Sequence, residues 1–264
     1  MAQWIDWFVF TKKAALMQRL ADYVRTGHRW YVCGEIPPEK AGYLAAKFDA
    51  LYGVGMTHMQ QYRRRKAGQA SFRLLMLHLE YSGDFLYPHN SNLYWWLLRT
   101  DGELPPEARK EKWRDALEDR ITLTGYELVR YTRPGAAKPV WTWRMTEYAE
   151  QVCRARIRYA VCKGREDILQ GVIYDKWHAA PGFAGIRKQV KKMRALILSD
   201  WRRSGRKFPR PEIPTRIGYV RRLPDLGRKL SELGVKKRAA RRQKDLGGAG
   251  LRTTEAQSTT AAQH

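Results

Sequence analysis

The sequence predicts an α+β fold: a mixed or antiparallel sheet with packed helices, followed by a basic helical C-terminal segment and a disordered tail. Three observations point there. Short apolar and aromatic runs with strand character recur up to about residue 146. Between and after them, apolar residues repeat at helical spacing. The charge then rises steeply, with about 21 Lys and Arg against four acids from Arg187 to Lys244. With 44% hydrophobic residues in 264, there is enough apolar material for a core.

Trp4 to Phe10 is aromatic and β-branched enough for a strand. Thr11 resembles a helix N-cap, and Leu16, Leu20 and Val24 follow at helical spacing up to the stop at Gly27. Arg29 to Ile36 reads as a strand. Pro37-Pro38-Glu39 opens a helix with Leu44, Phe48 and Leu51 on one face. Met56 to Arg65 and Ala70 to Glu80 flank Lys66-Ala67-Gly68-Gln69, which predicts a β-hairpin. Leu93 to Thr100 is apolar throughout, as a buried central strand requires.

Pro105-Pro106 predicts a helix to about Asp119, with Trp113 and Leu117 inward. Tyr126 to Arg133 and Val140 to Met145 predict a second hairpin around Pro134-Gly135. The following spacing predicts a helix with Tyr148, Val152, Ala155, Tyr159 and Cys162 inward. A short helix is expected over Arg165 to Trp177, and a longer one from Phe183 to Arg203 with Ile186, Val190, Met193 and Ile197 inward. Prolines at 209, 211, 214 and 224 predict an extended stretch, and Asp225 to Leu233 a last short helix. The expected organisation is an α+β domain over 1–146 with helices on one face of its sheet, helices packed on it over 147–204, a basic extended or helical arm over 205–246, and a disordered tail over 247–264.

Composition narrows the function. The formal net charge of +24 points to a polyanionic partner, nucleic acid first. No apolar run reaches the roughly 18–20 residues of a membrane helix, and no membrane partner is expected. Cys33, Cys153 and Cys162 form no Cys-x-x-Cys pair, which argues against a disulfide framework or thiolate zinc site. Asp6 interrupts a short apolar run that lacks a basic leader, so a cytoplasmic protein is expected. Glycine-rich nucleotide loops, His-Glu-x-x-His and Gly-x-Ser-x-Gly are absent, and no cofactor is expected.

The candidate phosphate-binding residues are cations in three places. Arg63, Arg64, Arg65 and Lys66 would crown the first hairpin, with Arg73 on its second arm. Lys188, Lys191, Lys192, Arg202 and Arg203 belong to the long basic helix. Lys236, Lys237, Arg238, Arg241 and Arg242 would form an auxiliary electrostatic arm. Four consecutive cations repel one another, and a phosphate backbone relieves that repulsion through charge-assisted bonds. Trp141 and Trp143 lie two apart on one strand, so they are core anchors if buried and a base-stacking platform if exposed.

The reading is a nucleic-acid-binding protein, for DNA or RNA, of the kind a plasmid or other mobile element encodes. The alternative is a nuclease, either of the CRISPR-RNA-processing type or a DNA-nicking replication initiator. His58, His78 and Glu80 are its candidate catalytic residues, because imidazole and carboxylate side chains serve as bases or metal ligands. No His-hydrophobe-His pair occurs, and no metal site is assigned. An adaptor for an acidic protein or an anionic membrane is a third class.

Overall fold

A computed structural model describes residues 6–79, 92–132 and 135–233. The larger sheet is organised around strand β4 (Leu93–Arg99), the run expected to be a buried central strand. It pairs antiparallel with β2 (Trp30–Ile36) on one side and β3 (Phe72–Leu77) on the other, with Val32 and Leu74 both opposite Leu97. β1 (Phe8–Phe10) runs parallel to β3. Two short strands complete the edges, β5 (Arg114–Asp115) beside β2 and β9 (Gly227–Lys229) beside β1, giving the order β5-β2-β4-β3-β1-β9.

Both faces of β4 are apolar, so both must be covered. Helix α1 (Lys13–Arg25) brings Leu16, Met17, Leu20 and Val24 to the face that carries Trp96 and Leu98. Helix α2 (Pro38–Tyr52) brings Phe48 and Tyr52 to Phe72 and Leu97 on the opposite face. Helices therefore lie on both faces of the sheet, not on one as expected.

A second antiparallel sheet consists of β6 (Thr122–Leu123), β7 (Tyr126–Tyr131) and β8 (Val140–Met145). Its Trp143 is fully buried, and the indole N–H donates to the Met17 carbonyl at 2.8 Å. This bond fixes the hairpin against α1. α4 (Glu147–Lys163), α5 (Glu166–Ile173), a π-helical turn (Tyr174–Ala179) and α6 (Ala184–Arg203) follow. α6 lies against β8, where a Cβ on Gly185 would come within 2.5 Å of the Trp143 carbonyl. Gln189 Oε1 accepts from the Met145 N–H at 2.7 Å and its Nε2 donates to the Met145 carbonyl at 3.0 Å. A side-chain amide thus satisfies backbone groups at the sheet edge.

Residues 204–226 first pass α4 and the start of α6, where Lys207 donates to the Cys162 carbonyl and the Val220 N–H to the Gly182 carbonyl, and then reach α1. The Gln18 amide donates to the Arg221 carbonyl at 2.6 Å and accepts from the Leu223 N–H at 3.0 Å. Arg19 donates to the Leu223 carbonyl and pairs with Asp225, and Arg222 pairs with Asp22. Phe208 and Ile213 enter the main core. Where the prolines predict an extended stretch, residues 206–226 hold neither helix nor strand, and side chains of α1 tie the end of this segment to the body.

Several local expectations are corrected. Met56 to Arg65 is not a hairpin arm. His58–Lys66 forms helix α3, because the Thr57 hydroxyl accepts from the Gln60 N–H and the Gln60 side chain accepts from the Thr57 N–H. Pro105-Pro106 starts only a 3-10 turn (Pro106–Lys110), since Arg114 and Asp115 pair with the edge of β2. The inward face of α4 is Ala149, Cys153, Ile157, Ala160 and Val161, while Tyr148, Tyr159 and Cys162 are exposed. Small residues let α6 approach, with Cys153 Sγ 3.5 Å from Met193 Sδ, and the tyrosine hydroxyls stay in water. Residues 225–233 give β9 and one helical turn, because pairing with β1 overrides local helix preference. The start of the first expected strand, and the tail over 247–264, lie outside the described residues.

Gln189→Leu leaves the Met145 N–H and C=O without those partners while keeping the side-chain volume. It should lower stability by about 1–3 kcal/mol. Urea denaturation reads this directly, and an unchanged midpoint would refute the edge-capping role.

Candidate nucleic-acid interface

α3 is joined to α2 by residues 53–57. Gly53 takes the left-handed conformation at φ 64°, and its N–H donates to the Asp49 carbonyl at 2.8 Å. The Asp49 carboxylate accepts from the Gly55 N–H at 2.7 Å. Two α3 side chains then reach back. Gln61, fully buried, donates to the Gly53 carbonyl at 2.7 Å, and Arg64 donates to the Tyr52 carbonyl at 2.8 Å. The Arg64 guanidinium also sits 5.7 Å from the centroid of Phe72. Burial pulls the Arg64 pKa below its usual value. Arg64 is therefore a structural strut of the α2–α3 junction.

Its neighbours point elsewhere. Arg63 and Lys66 are exposed, and Arg65 is half-buried. Arg65 and Arg73 lie close enough to His28 to act on its charge. Neither guanidinium has a hydrogen-bond partner for its buried Nε among the described residues. Arg73 also stands 6.0 Å from the Tyr23 ring centroid. His28 itself is buried, with Nε2 3.3 Å from the Ser71 hydroxyl. Its pKa is lowered to about 4, first by burial and then by the Arg73 and Arg65 charges. At neutral pH the cluster thus holds two guanidinium cations around a neutral imidazole.

α6 supplies a second basic surface. Ile186, Val190, Met193 and Ile197 are buried as expected, and Lys188, Lys191, Lys192 and Arg202 are exposed. The acid of this helix, Asp200, is buried and paired with Arg203. Arg203 is therefore partly neutralised, in contrast to its neighbour Arg202. Lys188 lies 4.9 Å from the Tyr131 ring centroid, and Arg187 lies 3.5 Å from that of Tyr219 on the returning stretch. Among the described residues no carboxylate is in salt-bridge reach of Arg63, Lys66, Lys191, Lys192 or Arg202. The acids pair elsewhere: Glu127 takes both Arg120 and Arg144, and Glu150 takes Arg154.

The structure does not bring the nuclease candidates His58 and His78 onto one element. His58 opens α3 and is exposed, whereas His78 follows the far end of β3, where its N–H donates to the Phe10 carbonyl at 2.9 Å. Without the hairpin, no shared strand face unites them. Glu80 lies outside the described residues. Among the described residues no group of three His, Cys, Asp or Glu side chains is placed to hold a metal ion. Lys236, Lys237, Arg238, Arg241 and Arg242 also lie outside them. Trp143 is a core anchor and Trp141 is half-buried beside it. No described helix is long and apolar enough to cross a membrane.

Sequence reasoning missed the outward Met59 and Tyr62 and the His28–Arg65–Arg73 cluster. The Thr57-x-x-Gln60 spacing was the available signal for α3. The cluster had none, because its members come from the α1–β2 loop, α3 and β3, which are far apart in sequence. Compared with family models, curated proteins and solved structures, the chain matches none.

The depressed His28 pKa makes a signed prediction. Unfolded chains bind a proton at this residue as pH falls below about 6.5, whereas the folded protein resists until about 4. This contribution to stability is therefore complete above about pH 6.5 and lost on descent toward pH 4, on the order of 3 kcal/mol. His28→Gln should flatten the stability profile across that window in urea denaturation. Arg73→Met should raise the His28 pKa in an NMR titration, and no movement would remove Arg73 as a cause.

Proposed function

We propose that the protein binds nucleic acid through phosphate contacts made by the exposed cations of α3 and α6. The observation that carries this reading is the sorting of charge along α6. Its solvent face offers Lys188, Lys191, Lys192 and Arg202, while its acid is turned inward and paired. At about 1.5 Å per residue, Lys188 to Arg202 span roughly 21 Å of this helix, long enough to reach several successive phosphates. Lys and Arg placed so donate to phosphate oxygens and release condensed counterions on binding. The cations of 236–242 extend this electrostatic footprint in sequence.

Such binding must weaken steeply with salt. For duplex DNA the affinity should fall linearly in log–log form between about 50 and 200 mM salt. Replacing both Lys191 and Lys192 by Gln should make that slope shallower by about two contacts. Anisotropy titrations on matched single- and double-stranded DNA and RNA supply both quantities. Affinity that stays flat across the salt range would overturn the proposal.

A further inference from the structure

α3 is an unusual helix. Nine isolated residues are too few to hold a helix in water, where about 12–15 are needed even for good sequences. Its capping box and the polar bonds of Gln61 and Arg64 hold it instead. The side turned to the protein is thus polar. The side turned to solvent carries Met59 and Tyr62, which are 58% and 48% exposed. Met59, Tyr62, Arg63 and Lys66 are spaced i, i+3, i+4 and i+7, so they share one helical face. An ordinary surface helix has the reverse arrangement, apolar inward and polar outward.

We propose, building on the nucleic-acid reading above, that α3 enters the major groove of double-stranded DNA and reads base edges with this face. Arg65 and Arg73 would contact flanking phosphates. Charge complementarity selects a polyanion: Arg63, Arg65, Lys66 and Arg73 have no ion pair among the described residues. Glu103, whose backbone bonds Gly68 and Ala70 just past the helix, pairs with none of them either. The apolar members select bases over bare phosphate. A methionine and a tyrosine ring can pack on thymine methyl groups, and Arg63 or Lys66 can donate to guanine O6 and N7.

Shape selects the duplex. An α-helix with its side chains is about 10–12 Å across and the B-DNA major groove is about 12 Å wide. The A-form RNA major groove is too narrow for side chains to read. Single strands are held on successive aromatic rings, and this face has one. The attachment is suitably rigid. α2 is anchored on the sheet by Phe48 and Tyr52, and the junction at 53–57 is tied by Asp49, Gln61 and Arg64. Two consecutive helices with a short glycine-containing turn, the second facing outward, are a general means of presenting a helix to a groove.

The test uses the full chain in selection from random-sequence duplexes, followed by dimethyl sulfate protection of guanine N7 on the enriched site. The wild type should enrich a motif and protect guanines in the major groove. Tyr62→Ala with Met59→Ala should lower affinity for that site about tenfold while leaving binding to unrelated duplexes unchanged. Both residues are exposed, so thermal unfolding should not move. Lys191→Gln with Lys192→Gln should instead weaken all duplexes alike. Duplex binding without sequence preference, a motif insensitive to the α3 double variant, or a preference for RNA or single strands would each overturn the role of α3 and leave the phosphate-binding reading standing. Absence of binding to every nucleic acid would overturn both.

Discussion

Strand β4 cannot face water on either side. Leu93 and Leu97 occupy one face and Trp96 and Leu98 the other, and all are buried. Covering one face requires α2, and covering the other requires α1. Once α1 lies on the sheet, its own outer side needs a lid, which the β6–β8 hairpin sheet supplies through Trp143. The new sheet has an edge at β8, and α6 covers it with Gln189. Each layer follows from the burial demand of the one before, and the hydrophobic effect sets the order. Exposed cations also lie on other elements, such as Lys47 on α2 and Arg158 on α4, but α3 and α6 group theirs, Arg63 with Lys66 and Lys191 with Lys192. α3 hangs from the end of α2, and α6 is the outermost cover of the second sheet.

That order also explains how a chain with so much positive charge folds. Cations that lie over the core are used up internally. Arg64 caps the end of α2, Arg19 and Arg222 bind the returning stretch to α1, and Arg99 lies 4.9 Å from the ring centroids of both Trp30 and Trp113. Their charge is offset by carbonyls, carboxylates and aromatic faces. Arg63, Lys66, Lys191, Lys192 and Arg202 have no such role. Isolated surface ion pairs contribute at most about 1 kcal/mol, so leaving these cations unpaired costs the fold little.

Much of the scaffold was legible in the sequence because it depends on runs that water excludes. The Leu93–Arg99 strand follows from an unbroken apolar run, the hairpin of β7 and β8 from two strand-like runs around Pro134-Gly135, and the inward face of α6 from apolar periodicity. The failures occurred where a polar or tertiary contact decided the outcome. In α3 the deciding contacts are a capping box and a buried glutamine, which add almost nothing to an apolar pattern. In α4 the tyrosines share the helical spacing of a buried face, yet Ala149, Cys153, Ile157, Ala160 and Val161 occupy it. At Arg114–Asp115 and Gly227–Lys229 an unsatisfied strand edge captures residues that would otherwise be loop or helix.

The correction at α3 changes what its cations can do. In a hairpin, four consecutive cations would alternate above and below a ribbon and project in pairs. In a helix, they are spread about 100° apart around an axis. Arg64 is thereby turned into the protein, Arg65 toward Arg73 and His28, and Arg63 and Lys66 outward beside Tyr62 and Met59. One run of like charges becomes a strut, a pair with Arg73 beside His28, and an exposed face of mixed chemistry. That division follows from helical geometry acting on six consecutive residues, Gln61 to Lys66, and a hairpin of the same sequence has no means of producing it.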